Sequence, residues 1–323
     1  MNEQTKTERS SPYFSIVIPA YNEEEHIGSC LQSIFNSDYD CAQYEVIVVD
    51  NGSQDRTYEI AINIGQARVF ELTEGNVGAV RNYGAAKARG QILVFIDADC
   101  LMDRNWLSRA EKLIEEKPNC VYGGAAKLSK NATWIERFWL LERKGNPTLP
   151  KHLIGASTVL SKTIFREVGG FSEAMTSGED TELHQILVSK GISIIIDHTF
   201  DIIHLGNAKT PIQFMKRQIW HSENYIKNPL KSAKDPIFII TALFILSLST
   251  LTIQSIFSID AIKNSFILLF CAFVPAILSG KRMFRARFIT FRPATLVKIY
   301  FIDTLYIAGR SIGLLKGFSK IFR

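Results

Sequence analysis

"ILVFIDADC", residues 92–100, decides the fold. Five apolar residues, Ile92 to Ile96, are followed at once by Asp97 and Asp99, with only Ala98 between them. An apolar run this short, with no polar residue inside it, reads as a strand buried on both faces. Taken as extended backbone to residue 99, it points Asp97 and Asp99 to one side and Ala98 to the other. The same pattern recurs upstream in "FSIVIPAY" (14–21), "YEVIVVDNGSQD" (44–55) and "ARVFEL" (67–72). Helical stretches alternate with these strands. Ile27, Leu31, Ile34 and Phe35 have helical spacing, "DRTYEIAINIG" (55–65) stops at a glycine, and "GAVRNYGAAKARG" (78–90) is a small-residue helix. Buried strands alternating with helices predict an α/β domain with a mostly parallel sheet covered on both faces. Ligands of such sheets sit beyond the carboxyl ends of the strands, where "PAYNEEE", "DNGSQD" and "DADC" bring polar clusters together.

Further along, residues 120–126 and 153–160 read as strands and "TWIERFWLLERKG" as an amphipathic helix. "GEDTELHQILVSKG" is a helix ending at Gly191, and "ISIIIDHTFDIIHLG" is a strand pair. "PIQFMKRQIWHSENYIK" is a helix opened by Pro211. Residues 1–13 read as a disordered start, 14–230 as the catalytic domain and 231–323 as a membrane-associated helical region. Residues 237–257 hold no charge over 21 positions, enough to cross a hydrocarbon layer about 30 Å thick. Residues 262–279 form a second expected span, and 295–315 an interfacial helix or a third. Two crossings return the basic stretch "KRMFRARF" to the side of the first domain.

The 323 residues carry a net charge of +5, and the basic residues collect beside the apolar tail. No dense basic stripe or RNA-reading signature occurs, so nucleic acid is excluded as a partner and a membrane surface is favoured. Five scattered cysteines without metal-ligand spacing fit free thiols in a reducing compartment. The polar start carries no signal-like stretch, which places the catalytic part on the cytoplasmic side of the cell membrane.

Two neighbouring carboxylates repel unless a cation sits close. Mg²⁺ or Mn²⁺ between Asp97, Asp99 and a diphosphate answers this; two solvated turn acids are the plainer alternative.

"SIVIPAYNEEEHIGSCLQSI", "YEVIVVDNGSQDRT", "GNVGAVRNYGAAKARG" and "ILVFIDADC" come in this order, and together they resemble glycosyltransferase family 2 over about residues 14–225. The resemblance implies the GT-A fold, a UDP- or GDP-sugar donor, a divalent metal and an inverting transfer, of a hexose in the expected case. It further implies that Pro19, Ala20, Tyr21, Glu23 and Asp50 line the base and ribose, and that Asp97 and Ala98 lie by the ribose and diphosphate. Asp99 would hold the metal, with His204 completing the site; hydrogen bonding in the core is the other reading of His204. In "GGFSEAMTSGEDTELHQIL", Asp180 matches the catalytic base and Glu179 stands beside it. Arg81 and Asn82 match the family pattern, with a salt bridge or a helix-surface role as the alternative. Arg217 and Trp220, on one helical face, would clamp a diphosphate and stack on a sugar, or else dock the helix.

The helix reads R-x-x-W without the Gln of polymerising members, and "LIGASTVLSK" lacks their Gly-Gly-Asn. Processive synthesis and the acceptor therefore do not carry over. A lipid-linked acceptor, a glycolipid and a cell-envelope polysaccharide precursor all stay open. A sugar-nucleotidyltransferase would need a Gly-rich phosphate loop where "PAYNEEE" stands. A membrane-anchored scaffold keeping a degenerate sugar-nucleotide fold is the non-enzymatic alternative.

Overall fold

The computed structural model describes residues 12–175, 177–223, 225, 232–256 and 261–321. The chain divides into two compact units, Met1–Ser129 with Leu149–Gly206, and Lys130–Thr148 with Asn207–Arg323. The division falls at Gly206 rather than near residue 230, and residues 130–148 join the second unit. Most of the expected disordered start lies outside the described residues, but Tyr13 is buried and its amide bonds the Gln43 carbonyl at 2.8 Å.

The first unit is built on β1 (Phe14–Ala20), β2 (Tyr44–Asp50), β3 (Arg68–Glu71) and β4 (Ile92–Phe95). All four run parallel, in the spatial order β3-β2-β1-β4. The sheet continues from β4 through β8 (Thr158–Ser161) and β6 (Val121–Gly123) to β9 (Ile194–Ile196). Alternation along each strand feeds two cores: Phe14, Ile16, Ile18 and Val94 pack on one face, and Val17, Leu93 and Phe95 on the other. The helices α1 (Ile27–Phe35), α2 (Thr57–Ile64) and α3 (Val77–Lys87) connect the parallel strands. The expected mostly parallel α/β fold is present, with β8 antiparallel to its neighbours.

Three details depart from the sequence pattern. First, β4 stops at Phe95, and Asp97 to Cys100 form a turn closed by the Cys100 amide on the Asp97 carbonyl at 3.1 Å. Side-chain alternation therefore does not orient the aspartates. Second, α4 (Trp106–Glu116) fills a stretch to which no element had been assigned. Its Trp106, Leu107, Ala110 and Ile114 face the core, with Trp106 edge-on to Phe200 at 5.6 Å. Third, a second small sheet forms from β5 (Cys100–Leu101), β10 (Ile202–His204) and β7 (Ala126–Lys127), in the order β5-β10-β7. The intervening α5 (Trp134–Leu140) belongs to the second unit, whereas α6 (Lys162–Glu167) and α7 (Glu179–Ser189) belong to the first.

The second unit adds α8 (Pro211–Glu223), α9 (Pro236–Ile256), α10 (Ala261–Arg285) and α11 (Pro293–Ile321). Among the described residues, two helices are long and apolar enough to cross a membrane, over Pro236–Gln254 and Ile267–Arg285. Side chains such as Leu246, Phe273 and Ile277 stand exposed on them. Helix α8 lies against α11 at glycines: a Cβ on Gly309 would fall 2.7 Å from the Gln218 Cβ, and one on Gly313 would fall 2.2 Å from the Ile219 carbonyl. Asp303 of α11 is buried and pairs with Arg282 of α10 at 2.7 Å while accepting from Ser279 at 2.6 Å. Arg282 also donates to the Phe138 and Trp139 carbonyls, which offsets its removal from water.

Candidate active site

The parallel strands set the site's floor. Ala20 and Asp50 are register partners at the ends of β1 and β2, and the Ile96 amide bonds the Val17 carbonyl at 3.2 Å as β4 runs out. The loops after β1 and β2 are laced together. Asn22, in the left-handed region at φ 55, accepts the Gln54 amide, and the Glu23 amide donates to Thr57 Oγ1 at 2.7 Å. This leaves Tyr21 over half exposed, at 55%, on a rigid rim. Pro19 is part-buried and Ala20 buried beneath it. Asp50 is almost fully buried; its Oδ1 accepts the Gly52 and Ser53 amides and its Oδ2 the Ser53 hydroxyl. Its carboxylate thus holds together the turn that follows β2.

Asp97 and Asp99 face different partners. Asp97 Oδ1 pairs with Arg81 Nη2 at 2.6 Å, and Arg81 Nη1 pairs with Glu179 Oε1 at 2.6 Å. Arg81 is only 3% exposed and lies over the Phe171 ring at 5.3 Å. The cation that steadies Asp97 is therefore built into the protein, in the salt bridge the sequence had left as one alternative for Arg81. Ala98 is buried in the turn. Glu179 opens α7, so the ion pair fixes the next residue, Asp180, at that helix N-terminus. Asp180 Oδ2 accepts the Gly155 amide at 3.1 Å and Oδ1 the Thr181 amide at 2.7 Å. Asn82 steadies the preceding loop by exchanging two hydrogen bonds with the Phe171 backbone, both at 2.9 Å.

Asp99 meets His204. The β5–β10 ladder pairs Cys100 with His204, and the Leu205 amide bonds the Asp99 carbonyl at 2.8 Å. Asp99 Oδ2 then lies 3.6 Å from His204 Nε2, both side chains being mostly buried. Cys100 Sγ joins them, with all three donor atoms within 4.8 Å of one another. Burial, and then the charges of Asp99 and Asp97, push the Cys100 thiol well above its usual range and keep its proton in place. Asp99 and His204 are the donors that remain, and a carboxylate beside an imidazole suits a divalent ion whose other positions go to phosphate or water oxygens. The acids share one field: Glu23 is raised to about 7 by burial and then by the charges of Asp99 and Asp97. Arg217 and Trp220 are exposed on α8 in the other unit. Gly155 is a neighbour of the site that sequence reasoning missed, because it reaches Asp180 by pairing between separate segments of the chain.

A profile of the family described as "Glycosyl transferase family 2" matches residues 15–168, from β1 through α6. Glycosyltransferase AglE of Haloferax volcanii is 30% identical over 217 residues, covering 64% of this chain and 71% of that protein. The chain belongs to glycosyltransferase family 2. It is a glycosyltransferase with the GT-A fold. The mannosyltransferase PcManGT from Pyrobaculum calidifontis, solved with GDP-Man and Mn²⁺, superposes with a TM-score of 0.59 at 18% identity, covering 96% of this chain and 88% of that one. GalNAc-T7, solved with UDP, GalNAc and Mn²⁺, superposes at 0.50 with 16% identity over 71% of this chain and 52% of its own. The matched segment contains most of the transferase's strand-end acids, while Asp180 and His204 lie beyond it.

Proposed function

We propose that this transferase moves a hexosyl group, with inversion, from a UDP- or GDP-sugar to an acceptor delivered at a membrane. The observation that carries the reading is Asp99 Oδ2 at 3.6 Å from His204 Nε2, beside the ends of the parallel strands. The GDP-Man and UDP held by the structural neighbours support a nucleotide donor.

Asp99 and His204 would hold Mg²⁺ or Mn²⁺. Such an ion supplies positive charge against the diphosphate as its bond to the sugar breaks. Tyr21 offers an exposed ring to the base on a rim stiffened by the bonds between the first two loops. Glu23 and the Asp50 turn line the ribose side, and Asp97, held by Arg81, orients the sugar phosphate. Asp180 takes the proton of the acceptor hydroxyl as that oxygen attacks the anomeric carbon. The carbon–oxygen bond to the nucleotide diphosphate breaks in the same displacement, and the electron pair leaves with the phosphate. Two amide donors, from Gly155 and Thr181, keep the Asp180 carboxylate aimed.

Membrane delivery is supported by the two apolar helices and by the basic residues near them, which favour the cytoplasmic face. A panel of nucleotide-sugars incubated with Mn²⁺ and membrane extracts tests the reading. Donor-specific transfer that is lost in Asp99→Asn and Asp180→Asn supports it, and transfer unchanged in either variant overturns it.

A further inference from the structure

The second unit holds a cavity of about 200 Å³ walled by α5, α8 and α11. That is below the roughly 300–1,000 Å³ of pockets that enclose drug-sized ligands, so it fits a head group and not a sugar nucleotide. Arg217, Gln218 and His221 reach it from α8, Arg310 from α11, and Glu136 and Trp139 from α5.

Polar atoms of the lining are buried. Gln218 is 4% exposed, and its Oε1 is buried without a hydrogen-bond partner. Arg310 lies over the Tyr306 ring at 5.1 Å and the Tyr225 ring at 5.8 Å, and its Nη1 donates to Tyr225 Oη at 3.3 Å. Its Nε is buried without a partner. An unmet buried donor or acceptor destabilises the fold, so a ligand that satisfies both recovers that cost. Arg217 and Arg310 both line the cavity, and burial, then the charges of Arg310 and Arg217, push His221 down to about 4. Glu136 also lines the cavity and turns one oxygen to its own helix, Oε2 accepting the Thr133 amide at 2.6 Å in the capping box.

We propose that this cavity binds a phosphate ester carrying a nearby hydroxyl, the chemistry of a glycerophosphate head group. The two guanidiniums match phosphate oxygens with forked donors. The hydroxyl supplies the hydrogen that Gln218 Oε1 lacks, which a bare carboxylate cannot do. Its ligand is either a membrane lipid or a soluble phosphate ester.

The test uses the full chain in neutral detergent micelles. Glycerol 3-phosphate, short-chain phosphatidylglycerol and short-chain phosphatidylcholine are titrated separately by calorimetry. Binding of both phosphoglycerol compounds, with none of phosphatidylcholine, marks the phosphate ester as the ligand; binding of phosphatidylglycerol alone marks the lipid as its source. In either case Gln218→Leu and Arg310→Lys weaken binding about tenfold or more, the loss expected for one charge-assisted hydrogen bond. Mn²⁺-dependent binding of a nucleoside diphosphate, measured on the same samples, reports that the first unit is intact. No binding of either phosphoglycerol compound to a chain that still binds the nucleotide overturns the proposal. Equal affinity in wild type and both variants also overturns it.

Discussion

His204 Nε2 stands 3.6 Å from Asp99 Oδ2 because two residues of β10 pair antiparallel with two residues of β5. The small second sheet thus brings the last strand of the unit to the turn after β4. If this pair holds the metal, chelation abolishes transfer and added Mn²⁺ restores it. His204→Gln should then raise the Mn²⁺ concentration for half-maximal rate at least about tenfold, the lower end of the loss seen even for outer-shell partners. A metal titration of the initial rate measures this, and an unchanged midpoint removes His204 from the site.

Gly206 is fixed by Asp99 rather than by backbone conformation. A Cβ there would lie 1.9 Å from Asp99 Oδ2, so alanine must push the carboxylate aside. Gly206→Ala is expected to weaken Mn²⁺ dependence and rate together while circular dichroism stays native. Full activity in that variant would show that Asp99 can move without consequence.

Arg81 pairs with two acids while 3% exposed. Arg81→Met leaves Glu179 buried without its partner, and breaking such a buried pair costs about 3–5 kcal/mol. Urea or thermal unfolding should register that loss. The substitution also frees the start of α7, so the rate should fall further than the folded fraction does.

Asp180 is expected to act on the rate and not on donor affinity. Asp180→Asn keeps the shape, removes the base, and should lower kcat by about 10²–10⁴-fold. Donor binding followed by thermal shift should stay close to wild type. A drop in donor affinity of the same size would assign Asp180 to binding instead.

Glu45 gives the fold a pH signature away from the site. Burial alone would raise its pKa, but bonds from the Arg89 amide, Ser15, Arg68 and the Arg89 side chain outweigh this and hold it below the ordinary 4.5. A depressed folded value means that the stabilisation is complete above pH 4.5 and fades as pH falls through the folded value. Wild-type melting temperature should therefore drop with acidification below that point, and Glu45→Gln should start lower at neutral pH and drop less steeply.

The strand-end acids were legible because their positions follow from local rules. Apolar runs fix β1, β2 and β4, and the polar residues that end them must gather at one edge of a parallel sheet. The same rules misplaced Asp97 and Asp99, since extending β4 past Phe95 replaced a turn by a strand. Residues 130–148 were likewise assigned with the catalytic part, because helix periodicity shows which face is apolar but not which partner covers it.

The sequence by itself determined the alternation of elements, the family, the acids at the strand ends and the apolar tail, all of which rest on short-range periodicity and ordered motifs. Tertiary structure alone decided that Arg81 is the counter-ion of Asp97 and Glu179, that Asp50 holds together its own turn, and that Gly206 makes room for Asp99. Those outcomes depend on distances between segments far apart in the chain. Charge pairing and steric exclusion act only once packing has brought those segments together.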